Sequence, residues 1–228
     1  MQYSRVYEGQ LIRRVNRFVA EVTVNGTTQV AHVKNTGRLR ELLVPGARVI
    51  LEHCANPGRK TGCSLIGVEK VNQIVNIDSQ APNRVVAEAL ENGLIQEIGQ
   101  VEGVRREVRY GASRFDIGYR RGDEVGFIEV KGVTLERDGV AMFPDAPTER
   151  GTKHIQELIR AVREGYAGYI LFLIQMQGVQ AFTPNSETDP ALAAALGLAV
   201  RQGVRVLAYD ALVSEDAMTL GTQVKVII

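Results

Sequence analysis

The sequence is poor in several residue types that would indicate particular classes of protein. Its 228 residues include no tryptophan, two cysteines and only 6% aromatic residues. The longest apolar run, residues 169–174, is far shorter than the roughly 18 apolar residues that a membrane-spanning helix needs. The N-terminal segment lacks the apolar core of a signal peptide, so we expect a cytoplasmic protein with no membrane association. Two cysteines in that compartment predict neither a structural disulfide nor a thiolate metal site.

The formal net charge of +1 is unevenly distributed along the chain. Residues 1–80 hold 11 Lys/Arg and 6 Asp/Glu, whereas residues 81–228 hold 16 Lys/Arg and 20 Asp/Glu. This asymmetry indicates a basic module that faces an anion, joined to an acidic module with a different task. We therefore predict two domains, residues 1–80 and residues 81–228.

The first 80 residues have the pattern of short strands and turns. Residues 17–24 alternate, with Phe18, Ala20, Val22 and Val24 on one face, and Asn25-Gly26 follows as a strong hairpin signal. Further strands are predicted at residues 28–33, 48–53, 64–71 and 73–78. About five short strands in this length indicate a small barrel of the OB type, although an SH3-like barrel would give a similar pattern.

The remainder of the chain predicts a mixed α/β domain. A helix is expected to begin with Asn83 as its N-cap and to end at Asn92-Gly93, and Thr148 is expected to cap a longer amphipathic helix. Strands are predicted at residues 104–110, 114–119, 125–131, 168–175 and 204–209, with a last helix at 190–202. The continuous apolar character of residues 168–175 indicates a central strand that is covered on both sides.

Asp116, Glu129 and Lys131 form the most informative group of polar residues. Glu129 and Lys131 share one face of a strand because they are two residues apart, and a hairpin through residues 120–123 can place Asp116 beside Glu129. Two neighbouring carboxylates favour a hard divalent cation, so we expect Mg²⁺, or Mn²⁺, with phosphate oxygens completing its shell. Lys131 could then stabilise the transition state, and Glu88 could supply a third carboxylate from the preceding helix.

A purely structural alternative exists for each of these residues. Asp116, Glu129 and Lys131 could form a cross-strand ion-pair set on the surface, and Glu88 could be a solvated helix residue. However, the pattern D-x₁₂-E-x-K resembles the signature of the PD-(D/E)XK nuclease superfamily. The predicted order of helix, three strands, helix and strand also matches the core of that superfamily.

Motifs along nearly the whole chain resemble the SfsA (sugar fermentation stimulation) family. They are Asn35-Thr36-Gly37-Arg38, Asn56-Pro57 with Arg59-Lys60, Pro82-Asn83 through Glu88, Ser113-Arg114-Phe115-Asp116, Glu129-Val130-Lys131, Phe143-Pro144-Asp145-Ala146, and Arg150-Gly151 with Lys153-His154.

The SfsA resemblance implies an N-terminal OB-like domain, a PD-(D/E)XK-type domain, DNA binding and a role in regulating sugar (maltose) metabolism genes. It also implies that Asp116, Glu129 and Lys131 are the nuclease core, with Glu88 as the helix carboxylate. The chain departs from the family pattern at Lys34, where proline is usual, and at Gly132, where asparagine is usual.

Together these observations predict a Mg²⁺-dependent DNA-binding nuclease, with RNA as the alternative substrate. The rival interpretations are a non-catalytic DNA-binding regulator and an enzyme that acts on a small anionic metabolite. The metabolite enzyme has little support, because the P-loop, dinucleotide-binding and HExxH motifs are all missing. The oligomeric state is left open, a homodimer being one option. The residues expected to contact nucleic acid are Arg13, Arg14, Arg17, Lys34, Asn35, Arg38, Arg59, Lys60, Arg114, Lys153 and His154.

Overall fold

A closed barrel forms the first part of the chain. The structure is a computed structural model that describes residues 1–54, 58, 61–111 and 113–228. Antiparallel pairing joins β1 to β2, β2 to β3, β1 to β4 and β4 to β5, and a parallel pairing of β3 with β5 closes the ring. This connectivity is that of an OB barrel, so the SH3-like alternative is excluded. The strands are β1 (Val6–Asn16), β2 (Val19–Val24), β3 (Thr27–Val33), β4 (Arg48–His53), β5 (Cys63–Lys70) and β6 (Gln73–Asn76).

The β2–β3 hairpin follows the sequence pattern closely, whereas β1 does not. Asn25 and Gly26 have φ of 49° and 77°, as the predicted tight turn requires. Ala20, Val22 and Val24 are buried, but the placement of Phe18 on this buried face is wrong, since its side chain is 48% exposed. The pattern gave no sign of β1, because register shifts between its residues 11 and 13 and between 14 and 16 interrupt the alternation.

The second part of the chain is a six-stranded sheet with helices on both faces. Its order is β15-β14-β12-β9-β8-β7, with β9, β12 and β14 parallel. One apolar cluster packs α1 against this sheet, and a second packs α2 and α3 against its other face. The elements are α1 (Ala81–Glu91), β7 (Glu102–Tyr110), β8 (Ser113–Arg121), β9 (Glu124–Val133), β10 (Leu135–Arg137), β11 (Val140–Phe143), α2 (Glu149–Arg163), β12 (Ala167–Ile174), β13 (Ala181–Pro184), α3 (Pro190–Arg201), β14 (Arg205–Val213), β15 (Met218–Gln223) and β16 (Lys225–Val226).

Helix α2 begins where the sequence predicts, whereas helix α1 does not. Thr148 caps α2 as predicted, its side chain accepting a hydrogen bond from the backbone N–H of Gly151 at 3.0 Å. The prediction of Asn83 as the N-cap of α1 is wrong, because the N-cap is Gln80, three residues earlier, and the helix begins at Ala81. Pro82 fits the first turn, where its missing N–H costs nothing, so the helix extends past it and Asn83 is freed for another contact.

Several polar contacts fix the barrel against the second domain. The backbone N–H of Arg38 donates to Asp145 Oδ2 at 2.7 Å, and Lys70 forms an ion pair with Glu136 at 2.7 Å. The backbone N–H of Asn76 donates to the carbonyl of Gln175, which continues from the central strand β12. Because these contacts lie on separate segments of the chain, they set the relative position of the two domains. Among the described residues, no helix is long and apolar enough to cross a membrane.

Candidate active site

The candidate site lies where strands β8 and β9 separate. Their antiparallel pairing runs from Arg121 opposite Glu124 to Ile117 opposite Ile128 and stops there. One step further, the carboxylate of Asp116 takes the place of a ladder bond, since its Oδ2 accepts the backbone N–H of Val130 at 2.8 Å. The other oxygen, Oδ1, accepts a hydrogen bond from Asn83 Nδ2 on α1 at 2.7 Å. The sheet and the helix together therefore hold this carboxylate in one orientation.

Glu129 points into the same region from β9 and is almost completely buried, with 1% of its surface exposed. Its Oε1 accepts a hydrogen bond from Lys131 Nζ at 2.5 Å and is also bonded to His154 Nδ1 on α2. Its Oε2 is buried and has no hydrogen-bond partner within the part of the chain that the structure describes. A buried carboxylate oxygen without a donor is energetically costly, and it is an unused ligand for a cation.

The surroundings shift the pKa values of the two carboxyl groups in opposite directions. Burial and repulsion by Glu129 raise the pKa of Asp116, and the Val130 N–H only partly offsets this. Burial alone would raise the pKa of Glu129, but the contacts with His154 and Lys131 outweigh it and the pKa is lowered. A negative charge is thus stable on Glu129 and unfavourable on Asp116 beside it. A cation between them would relieve this repulsion.

These residues fit a hard divalent cation with an incomplete protein shell. Both candidate ligands are carboxylates, and Glu129 Oε2 is available. Within the described residues no three His, Cys, Asp or Glu side chains come together closely enough to bind a metal by themselves. Mg²⁺ commonly uses one or two carboxylates and takes its other oxygens from water and phosphate, so two carboxylates suffice for a phosphodiester substrate.

Glu88 does not join this cluster. Its Oε2 forms an ion pair with the amino group of Met1 at 2.6 Å, and its Oε1 accepts from Arg84 Nε at 2.9 Å. Five helical residues separate Glu88 from Asn83, which turns its side chain about 140° around α1 from the side that meets Asp116. The observed contacts of Glu88 therefore stabilise the outer side of α1.

Four of the residues expected to contact nucleic acid are paired with other groups of the barrel domain. Lys34 forms ion pairs with Glu52 at 2.7 Å and Asp78 at 3.3 Å. Asn35 bonds the carbonyl of Ile77 and the N–H of Gly37. Arg13 is paired with Glu21 at 2.8 Å. The guanidinium of Arg14 donates to the carbonyls of Asn16, Arg17, Asn35, Gly37 and Arg38.

The N–H groups of Arg14 therefore hold the loop that follows β3. Because they are already occupied by backbone carbonyls, the structure does not favour a phosphate contact by Arg14. Asp145, which belongs to one of the motifs that resemble the SfsA family, accepts a hydrogen bond from the N–H of Arg38 in the same loop. These residues build the junction of the two domains. Short motifs of the sequence could not distinguish this role from a contact with nucleic acid, since both use the same residue types.

The remaining predicted contacts are distributed over both domains. Arg17, Arg38 and Lys153 are exposed, and Arg114 is exposed with an ion pair to Glu107 at 3.2 Å. His154 binds Glu129, which places it within the carboxylate cluster. Arg59 and Lys60 lie outside the described residues.

Sequence reasoning missed a group of arginines on the β7–β8 hairpin, which we call the hairpin arginines: Arg105, Arg106, Arg109 and Arg120. All four are exposed, and none forms an ion pair within the described residues. Arg109 lies directly opposite Arg114 in the β7–β8 ladder, an arrangement of like charges that is unfavourable without an anion. The signal was present in the sequence, because residues 105–121 contain six arginines and two acidic residues. Averaging over the acidic second domain concealed it.

The closed barrel and the α/β domain define a two-domain protein in which an OB fold precedes a restriction-endonuclease-like fold. A family model described as the SfsA N-terminal OB domain matches residues 12–77, and one described as the sugar fermentation stimulation protein RE domain matches residues 80–217. The chain therefore belongs to the sugar fermentation stimulation protein (SfsA) family.

Curated relatives and a solved structure agree with this assignment. The sugar fermentation stimulation protein homolog of Alkaliphilus oremlandii is 48% identical over 99% of this chain and 98% of its own length. The homolog of Desulfitobacterium hafniense is 49% identical with the same coverage. The structure of Pyrococcus furiosus SfsA in complex with Ca²⁺ superposes with a TM-score of 0.91 at 32% identity and covers 100% of this chain and 98% of its own.

Proposed function

We propose that this protein is a metal-dependent nuclease that hydrolyses a phosphodiester at the cluster of Asp116, Glu129 and Lys131. The observation that carries the proposal is the buried, unpartnered Oε2 of Glu129 beside a second carboxylate whose pKa is raised. Folding holds these groups in an arrangement that is unfavourable without a cation. Such an arrangement of perturbed groups is characteristic of functional sites.

A divalent cation held by Asp116 and Glu129 would supply Lewis-acid polarisation of the scissile phosphate. Support comes from the Pyrococcus furiosus relative, whose structure is described as a complex with Ca²⁺. Mg²⁺ or Mn²⁺ is the proposed ion here, because Mg²⁺ is commonly bound by one or two carboxylates together with substrate phosphates.

The other polar groups of the cluster have separate tasks in this proposal. Lys131 Nζ is 2.5 Å from Glu129 Oε1 and its side chain is partly exposed, so it can place positive charge against a phosphate. His154 holds Glu129 from α2, as Asn83 holds Asp116 from α1. Both carboxylates are thereby kept in position before a substrate arrives.

The hairpin arginines are the proposed anchor for the sugar-phosphate backbone, together with Arg114. They are exposed, have no acidic partner among the described residues except for Glu107 at Arg114, and lie on β8 and the neighbouring edge strand β7. Asp116 is also on β8, two residues after Arg114. A backbone that crosses the hairpin would therefore reach the carboxylate cluster. We propose DNA as the substrate, with RNA as the alternative.

Cleavage assays test the nuclease proposal directly. Wild-type protein with Mg²⁺ or Mn²⁺ should cleave at least one substrate among single-stranded DNA, duplex DNA and RNA. Lys131→Ala should abolish this cleavage, whereas Lys225→Ala, which changes an exposed lysine on β16, should not. Cleavage that is absent on every substrate, or equal in both variants, would contradict the proposal.

One observation favours a non-catalytic nucleic-acid-binding protein as the second candidate. Three of the four carboxylate oxygens of Asp116 and Glu129 already have protein donors without any metal. In that case the cluster would be a structural polar network, consistent with a regulator of sugar metabolism genes. Such a protein would bind DNA with an affinity and a melting temperature that do not respond to Mg²⁺.

A further inference from the structure

A cavity of about 380 Å³ lies between the barrel and the second domain, at the carboxyl ends of β9 and β12. The loop of residues 35–37 and Arg17 form its barrel side, and residues 132–135 and 142–148 form the opposite side. The hydrogen bond from the Arg38 N–H to Asp145 Oδ2 joins the two sides. In sheets with parallel strands, ligands commonly bind outside the carboxyl ends of those strands.

A buried hydrogen-bond acceptor faces this cavity. Gln175 is 1% exposed, and its Nε2 donates to Asn76 Oδ1 at 2.9 Å and to the carbonyl of Asp78 at 3.2 Å. These bonds fix the side-chain amide, and they leave Oε1 without a hydrogen bond among the described residues. Oε1 lies against Gly132, where a Cβ would collide with it, and both residues line the cavity. A ligand that enters the cavity therefore meets an oriented oxygen that requires an N–H or O–H donor.

The walls of the cavity are part apolar and part polar, and an arginine lies at its rim. Val133, Leu135, Met142 and Phe143 line it, and the ring of Phe143 packs on a second aromatic ring at 5.5 Å. Arg17 contributes an exposed guanidinium with no ion pair in the described part of the chain. A chamber with an apolar wall, one fixed acceptor at its base and a cation at its rim matches the chemistry of a nucleotide, in which a flat ring with N–H groups is linked through a sugar to a phosphate.

We propose that this cavity binds a nucleobase, with Gln175 Oε1 accepting an N–H from the ring edge and Arg17 contacting the adjacent phosphate. The inference deepens the proposed function, since Gly132 directly follows Lys131 and the cavity therefore adjoins the carboxylate cluster. A base inside it is unstacked from its neighbours, so the preferred substrate is a single strand or an unpaired end. The same chemistry would admit a free mononucleotide, and the test separates these two sources.

Fluorescence of 2-aminopurine, placed at successive positions of a single-stranded oligonucleotide, reports unstacking. The measurement is made without divalent metal, so that it is independent of cleavage. We expect a several-fold rise in emission at one position on binding wild-type protein. Ala146→Leu, which adds volume to the cavity wall, should remove the rise, whereas Arg40→Gln, an exposed arginine that does not line the cavity, should leave it unchanged.

Arg17→Gln provides a second, surface variant that does not disturb packing. It should weaken oligonucleotide binding and reduce the slope of log affinity against log salt by about 0.7, the contribution of one single-strand phosphate contact. An emission rise at no position combined with no stabilisation by a mononucleotide, or an equal rise in Ala146→Leu, would overturn the proposal. An unchanged salt slope in Arg17→Gln would overturn its phosphate contact.

A parallel measurement of the melting temperature with adenosine monophosphate shows whether the bound base comes from a free nucleotide or from a nucleic acid. If the nucleotide raises the melting temperature of wild-type protein but not of Ala146→Leu, while no oligonucleotide position brightens, the base site is supported and its nucleic-acid occupant is refuted. If the oligonucleotide brightens but no substrate is cleaved in Mg²⁺, the base site stands and the nuclease proposal fails. If neither the emission rise nor the rise in melting temperature is seen but substrate is cleaved, the base site is refuted and the nuclease proposal stands.

Discussion

The carboxylate cluster predicts opposite effects of Asp116→Asn in the absence and the presence of metal. Asp116 is partly buried beside Glu129, and both this desolvation and the repulsion raise its pKa. A raised pKa in the folded state means that the ionised form weakens the fold. The stability that this group contributes at low pH is therefore lost as the pH rises through its folded-state pKa. At neutral pH the group lowers the free energy of unfolding.

Asparagine fits the same position with little rearrangement. Its Oδ1 can accept the Val130 N–H, and the amide of Asn83 can reverse so that its oxygen accepts from the new Nδ2, because no other contact of the described residues fixes that amide. The main change is the removed charge. Optimising a single unfavourable charge commonly contributes about 0.5–2 kcal/mol, so we expect a stabilisation on the order of 1 kcal/mol without metal. For a domain of this size, that amounts to a rise in melting temperature of roughly 2–4 °C.

Thermal unfolding with and without Mg²⁺ tests both predicted changes in stability. Wild-type protein at a Mg²⁺ concentration 100-fold above its Kd should gain about 2.7 kcal/mol, whereas Asp116→Asn should gain far less. Asp123→Asn, an exposed aspartate in the β8–β9 turn, is the matched control and should behave as wild type. A metal-free Asp116→Asn that melts below wild type, or one that responds equally to Mg²⁺, would refute the reasoning.

Three further predictions concern single positions. His154→Ala should weaken Mn²⁺ binding about 10–100-fold without abolishing folding, measured by metal titration of the melting temperature, because Glu129 loses the partner that orients it. Arg106→Gln and Arg109→Gln should each lower the salt dependence of duplex DNA binding by about 0.9 in log–log slope, measured by fluorescence anisotropy; an unchanged slope would exclude these side chains as phosphate contacts. Val71→Asn should stabilise the protein by about 1 kcal/mol in urea unfolding, because Val71 is 87% exposed and has φ of 48°, a conformation that suits asparagine better; equal or lower stability would contradict this account.

Local pattern predicted those parts of the fold in which side-chain period and turn chemistry agree. Asn25-Gly26 and the alternation of β2 indicated their hairpin, and the apolar run of β12 indicated a central strand. A separate small sheet is formed by β10, β11, β13 and β16. These strands have two to four residues each, too few to show a periodic pattern. Strand β1 is long, but its register shifts interrupt the alternation of buried and exposed residues. Its sequence pattern therefore does not resemble that of a strand.

The sequence predicts which site residues come together within the β8–β9 hairpin, but not which helix residues approach them. A hairpin register determines which residues lie opposite each other, so the spacing of Asp116, Glu129 and Lys131 was enough to associate them. The approach of a helix is not fixed by spacing, because a rotation of α1 by a third of a turn exchanges one side chain for another. For that reason Asn83 reaches Asp116 where Glu88 was expected, and the contact of His154 with Glu129 could not be anticipated.

The distribution of charge over the second domain explains how an acidic domain could bind a polyanion. Its excess of acidic residues would repel nucleic acid only if those charges faced the same surface and were uncompensated. Several are instead compensated within the protein, as Glu136 is by Lys70 and Glu88 by Arg84. The hairpin arginines are exposed and free of acidic partners among the described residues, and exposed charges separated by more than about 10 Å are largely screened at 0.1 M salt. Affinity should therefore follow the local hairpin charge. Neutralising either Arg106 or Arg109 should weaken binding far more than neutralising Arg201, an exposed arginine on α3, although each single change alters the net charge of the domain equally.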